Sequence, residues 1–93
     1  MQLPDTIRII SSAFKHGVTA QQIYDCLYNS YCRPQLRHSQ SDPIAILALG
    51  ETEDGELLEL AYVLESDNQG RVFHAMPMRE TYRTLYCKKR RKR

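Results

Sequence analysis

The sequence predicts an α+β fold made of two N-terminal helices, a three-stranded antiparallel meander sheet and a C-terminal helix. Three observations point to it. Thr19 and Gln22 have the spacing of a capping box, which marks a helix start. Three extended apolar runs between Ile44 and Met76 are separated by two short polar turns. After Pro77, the residues Tyr82, Leu85 and Tyr86 fall on one face of a helix.

In chain order, Ile7, Ile10, Ala13 and Phe14 fall at helical spacing between the Pro4-Asp5 start signal and Gly17, which reads as a first amphipathic helix. The second helix starts at Ala20, with Val18 and Ile23 placed as a hydrophobic staple. Its stripe of Ile23, Cys26, Leu27 and Tyr31 ends before Arg33-Pro34, because proline disfavours helix in the residue before it. Residues 33–42 are polar and aperiodic and read as a loop. The first strand runs from Ile44 to Leu49, and Glu51 to Gly55 supplies a turn. Leu58, Leu60, Tyr62 and Leu64 alternate along the second strand. Asp67 to Gly70 turns the chain into a third strand, Arg71 to Met76, which ends at Pro77 because proline cannot donate to a ladder. The last helix begins near Arg79, and both N-terminal helices are expected on one face of the sheet.

A chain of 93 residues with 42% hydrophobic content holds one core, so residues 1–87 read as a single domain and 88–93 as a basic tail. Net charge +2 conceals a division. Residues 1–78 carry five Lys or Arg against ten Asp or Glu, and residues 79–93 carry eight against one. An acidic body with a basic arm should use different surfaces for different partners. Three cysteines without CxxC spacing, Cys26, Cys32 and Cys87, are expected as reduced and mostly buried thiols. The three histidines are far apart in sequence, so neither a metal nor a cofactor is expected. No secretion signal or membrane-spanning run is visible, and the expected location is cytoplasmic.

The candidate site lies in the last quarter of the chain. Arg71, His74, Arg79, Tyr82 and Arg83 lead into Lys88, Lys89, Arg90 and Arg91. Guanidiniums match phosphate oxygens in bidentate fashion, histidine moves protons near neutral pH, and tyrosine stacks on bases. RNA is the expected substrate. Strand alternation places Arg71, Phe73 and Ala75 on one face and Val72, His74 and Met76 on the other, so Arg71 and His74 are expected apart. On spacing alone His74 also fits a structural histidine bonded to a backbone carbonyl. Lys15 and His16 precede Gly17, where cations stabilise a helix C-terminus, and Lys15 is also a candidate RNA contact. Tyr24, Tyr28 and Tyr31 read as core and rim. The seven acids from Glu51 to Asp67 read as a solvated hairpin, or as an edge that docks a basic partner.

Lys15-His16-Gly17-Val18-Thr19, the strand region Asp54-Gly55-Glu56-Leu57-Leu58-Glu59-Leu60, and the run Val72 to Arg79 together resemble the BrnT-type toxins of the wider RelE-like superfamily, over roughly residues 7 to 83. The resemblance implies a ribonuclease toxin that cuts RNA without metal. Its expected partners are a cognate antitoxin and, through their complex, operator DNA. The family's basic position at the start of the last strand falls on Arg71, and its closing-helix arginine and tyrosine positions fall on Arg79, Tyr82 and Arg83. His74 stands where relatives commonly have a small polar residue, and Met76 where many have arginine. In such a reaction His74, Arg79, Tyr82 and Arg83 form the expected catalytic set, with His74 transferring the proton and the arginines holding phosphate. Arg71, Lys15, Lys88, Lys89, Arg90 and Arg91 are the expected RNA contacts. The alternative is a non-catalytic module of the same fold that binds nucleic acid or a partner.

Overall fold

The computed structural model describes residues 4–30, 35–36, 45–66 and 68–91. The elements are β1 (Thr6–Ile9), a 3-10 turn (Ser11–Phe14), α1 (Ala20–Tyr28), β2 (Gln35–Leu36), β3 (Ala45–Glu51), β4 (Leu57–Ser66), β5 (Gln69–Pro77) and α2 (Glu80–Arg91). They build an α+β domain around one five-stranded mixed sheet in the order β1-β5-β4-β3-β2. The β3-β4-β5 meander is antiparallel and sits at the centre. On its outer sides β1 pairs parallel with β5, and β2 pairs antiparallel with β3.

This corrects the expected arrangement of two N-terminal helices over three antiparallel strands. The segment read as the first helix is a strand followed by a 3-10 turn. Ile7 and Ile9 alternate toward the core, while Thr6 and Arg8 face away, and the pairing of β1 with β5 overrides the helical spacing of Ile7, Ile10 and Ala13. Phe14, the fourth member of that supposed stripe, is 41% exposed. Within the stretch read as a loop, Gln35 and Leu36 form β2, and the rest of it lies outside the described residues, as does Tyr31. α1 ends at Tyr28, earlier than its apolar stripe implied.

The sheet separates two apolar clusters. On the first face, Ile46, Ala48, Leu58, Leu60, Tyr62, Val72 and Ala75 pack with Ile23, Cys26 and Leu27 of α1 and with Ala13 of the 3-10 turn. The capping box at the start of α1 forms as its spacing required. Thr19 Oγ1 accepts from the Gln22 backbone N–H, and Gln22 Oε1 accepts from Thr19 N–H. Buried Cys26 donates its thiol to the Leu58 carbonyl, and burial pushes that thiol up to about 12, which keeps it protonated and inert. Cys87 is also free, but exposed. On the second face, α2 lays Tyr82, Leu85 and Tyr86 with Met78 over Leu47, Leu49 and Leu57, covering the β3 side. Tyr86 fixes this placement by donating its hydroxyl to Glu51 at the end of β3. α2 extends into the basic run as far as Arg91.

One irregularity changes which side chains meet. Across β4 and β5, Ala61 pairs with His74, but Tyr62 pairs with Val72 and Val63 with Arg71. Phe73 is therefore the extra residue of a β-bulge. Ala61 and Val63 lie two apart on β4 and share a face, so their partners His74 and Arg71 share it too. Uniform alternation had placed Arg71 and His74 on opposite faces, and the bulge reverses that expectation.

Gly50 sits beneath α1, and a Cβ added there would lie 2.5 Å from the Cys26 carbonyl oxygen and 3.1 Å from its sulfur. Gly50→Ala must push helix and sheet apart. It should lower stability by about 1–3 kcal/mol, measured as a lower urea midpoint with an unchanged slope.

Candidate functional site

The second sheet face holds a buried carboxylate. Glu59 lies on β4 between Leu57 and Ala61, and its side chain is wholly shielded from solvent. Three donors meet it. Arg79, just ahead of α2, gives its backbone N–H to Oε1 at 2.9 Å. Its guanidinium adds Nε to Oε1 at 3.0 Å and Nη2 to Oε2 at 2.8 Å, the paired geometry that best matches a carboxylate. His74 on β5 approaches Oε2 through Nε2 at 3.2 Å. Burial alone pushes the Glu59 carboxyl up, but the bonds from Arg79 and His74 outweigh it and hold the group below the usual carboxylate range. The same contact with Glu59 raises Arg79.

An ionised carboxylate can only accept, so in the neutral ring the Glu59 contact places the His74 proton on Nε2 and the lone pair on Nδ1. The imidazole is 29% exposed, within reach of a ligand. Arg79 is 58% exposed on its outer side and commits two of its five N–H groups to Glu59, so three remain. Its guanidinium carbon lies 5.3 Å from the centre of the Tyr82 ring, which adds a cation–π contact.

On the same face, toward β1, Arg71 pairs in register with Arg8. Arg8 reaches Glu65 at 3.0 Å and keeps 54% of its side chain exposed. The Arg71 Nε is buried with no hydrogen-bond partner among the described residues. Such a group costs about 1–3 kcal/mol unless an acceptor is supplied.

Of the expected site residues, His74, Arg79 and Tyr82 are brought together, and Arg71 joins their face. Arg83 is not part of the set. It donates Nε to the Met78 carbonyl at 3.3 Å and lines a separate open cleft of about 440 Å³ with Gly55, Glu56, Leu57, Leu58 and Pro77. Lys88 is exposed on α2, two residues beyond Tyr86. The side chains of Lys89, Arg90 and Arg91 lie outside the described residues. Lys15 is exposed on the loop after the 3-10 turn. The structural reading of His74 named a backbone carbonyl as its partner, whereas the partner is Glu59.

Sequence reasoning missed Glu59 itself, which it counted among the acids of a solvated hairpin. A signal was present. Glu59 shares a strand face with Leu57, Ala61 and Val63, an apolar row in which an acid needs paired donors to be buried. Among the described residues, no helix is long and apolar enough to cross a membrane.

Compared with protein-family models, with curated proteins and with solved structures, the chain finds no match in any of the three. The likeness to BrnT-type toxins therefore rests on the sequence motifs alone.

Because Glu59 is held below its ordinary range, its ion pair contributes stability above that range and loses it as pH falls through the lower folded value. Denaturant midpoints of the wild type should fall between about pH 7 and about pH 3 by more than those of Glu59→Gln. The variant should be the less stable of the two at the higher pH. Parallel pH profiles would show that this carboxylate contributes nothing to acid sensitivity.

Proposed function

We propose that this chain is an endoribonuclease that cleaves RNA by attack of the 2′-hydroxyl, using its own side chains rather than a metal ion. His74 is the proton-transfer group, Glu59 holds and polarises its ring, and Arg79 and Arg71 receive phosphate oxygens. The observation that carries this reading is the bond from Nε2 of the partly exposed His74 ring to the buried Glu59 carboxylate, which also holds the Arg79 guanidinium. A carboxylate behind an imidazole fixes its tautomer and stabilises the imidazolium formed when it takes a proton. Guanidinium N–H groups directed at phosphate oxygens stabilise the charge that develops there. Arg71 adds a second guanidinium to the same face.

The motif likeness supports the toxin form of this reading. In that form a cognate antitoxin covers the open side of the second face, the complex of the two acts on operator DNA, and the chain works in the cytoplasm. Tyr82 stacks on a base beside Arg79, and the basic end of α2 adds affinity without specificity.

A second reading, a non-catalytic module that binds nucleic acid or a partner, draws support from the same carboxylate. By gathering donors from β5 and from the start of α2, Glu59 also acts as a structural bracket. One experiment separates the two. Purified protein incubated with RNA in EDTA should yield fragments, and His74→Ala should slow cleavage by about 10²–10⁴-fold while still binding RNA. Intact RNA at high protein concentration, with binding retained, would favour the module.

A further inference from the structure

Cleavage by 2′-hydroxyl attack needs two proton transfers, and Glu59 and His74 account for one. The structure places a second imidazole beside the first. The ring centres of His16 and His74 are 6.1 Å apart with planes at 74°, an edge-on contact between residues far apart in sequence. The bulge in β5 lies beside this meeting. Ser12 donates its hydroxyl to the carbonyl of Phe73, the bulged residue, at 2.8 Å and so pins the 3-10 turn to β5. Gly17, at φ 81°, then turns the chain just after His16, with its N–H bonded to the Phe14 carbonyl. His16 is thereby held against the His74 ring while remaining exposed.

We infer that His16 is the second proton-transfer group, a general acid working opposite His74. This rests on the ribonuclease reading above and deepens it. The 2′-oxygen attacks phosphorus as its proton passes to Nδ1 of His74. The P–O5′ bond breaks, its electron pair leaves with the 5′-oxygen, and that oxygen takes a proton from the His16 imidazolium. The products are a 2′,3′-cyclic phosphate and a 5′-hydroxyl end, and exchange with water restores both rings. Among the described residues, the charged groups around the pair include Lys15 beside His16 in the chain, Glu59 and Arg79 behind His74, and Arg71 on the same sheet face. In this assignment one phosphodiester lies against both rings, whose centres are 6.1 Å apart, with each proton passing across a hydrogen bond of about 2.6–3.2 Å.

The test compares two substrates. RNA has a poor leaving group and needs the acid, whereas a nucleoside 3′-(4-nitrophenyl phosphate) leaves without a proton and needs only the base. His16→Ala should slow RNA cleavage by about 10²–10⁴-fold but slow the activated ester by less than tenfold, and His74→Ala should slow both. His16→Gln, which keeps a polar side chain of similar reach, should behave as His16→Ala does, so a folding defect in one variant does not decide the matter. Wild-type cleavage of RNA that survives both His16 changes would overturn this assignment and leave the ribonuclease reading standing. A wild type that cleaves neither substrate would overturn both.

Discussion

The arrangement of this protein depends on one buried negative charge. A carboxylate removed from water is tolerated only where donors surround it, and the donors of Glu59 come from two other parts of the fold. His74 brings β5 and Arg79 brings the entry to α2. The requirement that keeps Glu59 ionised therefore also fixes the imidazole, the guanidinium and the helix that follows. Apolar packing of α2 on Leu47 and Leu49 sets the same helix from its other end, with Tyr86 bonded to Glu51. Neither cluster alone would hold both ends of α2.

The β-bulge is the second determinant. One extra residue in β5 turns His74 onto the face that already carries Arg71, and the carbonyl of that residue receives Ser12. This local departure from pairing thus brings together residues of β5 and of the 3-10 turn. It lies in the β4–β5 pairing where β1 stops and the 3-10 turn takes over, and a second register shift follows between Leu64 and Ser66.

Where local chemistry decides, the sequence was readable. The capping box set the start of α1, polar turns separated β3, β4 and β5, Pro77 ended β5, and Tyr82, Leu85 and Tyr86 found the core. Where distant pairing decides, it was not. Ile7 and Ile10 satisfy a helical period, Ile7 and Ile9 satisfy a strand period, and only β5 arbitrates. The candidate site divides in the same way. His74, Arg79 and Tyr82 were recognisable from residue type and proximity in the chain. Glu59 looked like one more hairpin acid, and His16 like a cation at a helix end, because their partners lie on other elements. Strand alternation misplaced Arg71 relative to His74, since nothing in the residues around Phe73 announces a bulge.

The parallel pairing of β1 with β5 has a consequence for synthesis. Thr6 to Ile9 leave the ribosome early, yet their partners, Gln69 to Val72, are among the late arrivals, and Ser12 waits for a carbonyl 61 residues downstream. Closing so long a loop comes only after nearly the whole domain has emerged. Until then the His16 turn has no strand to rest on. A chain that stops before β5 therefore cannot form the contact between His16 and His74.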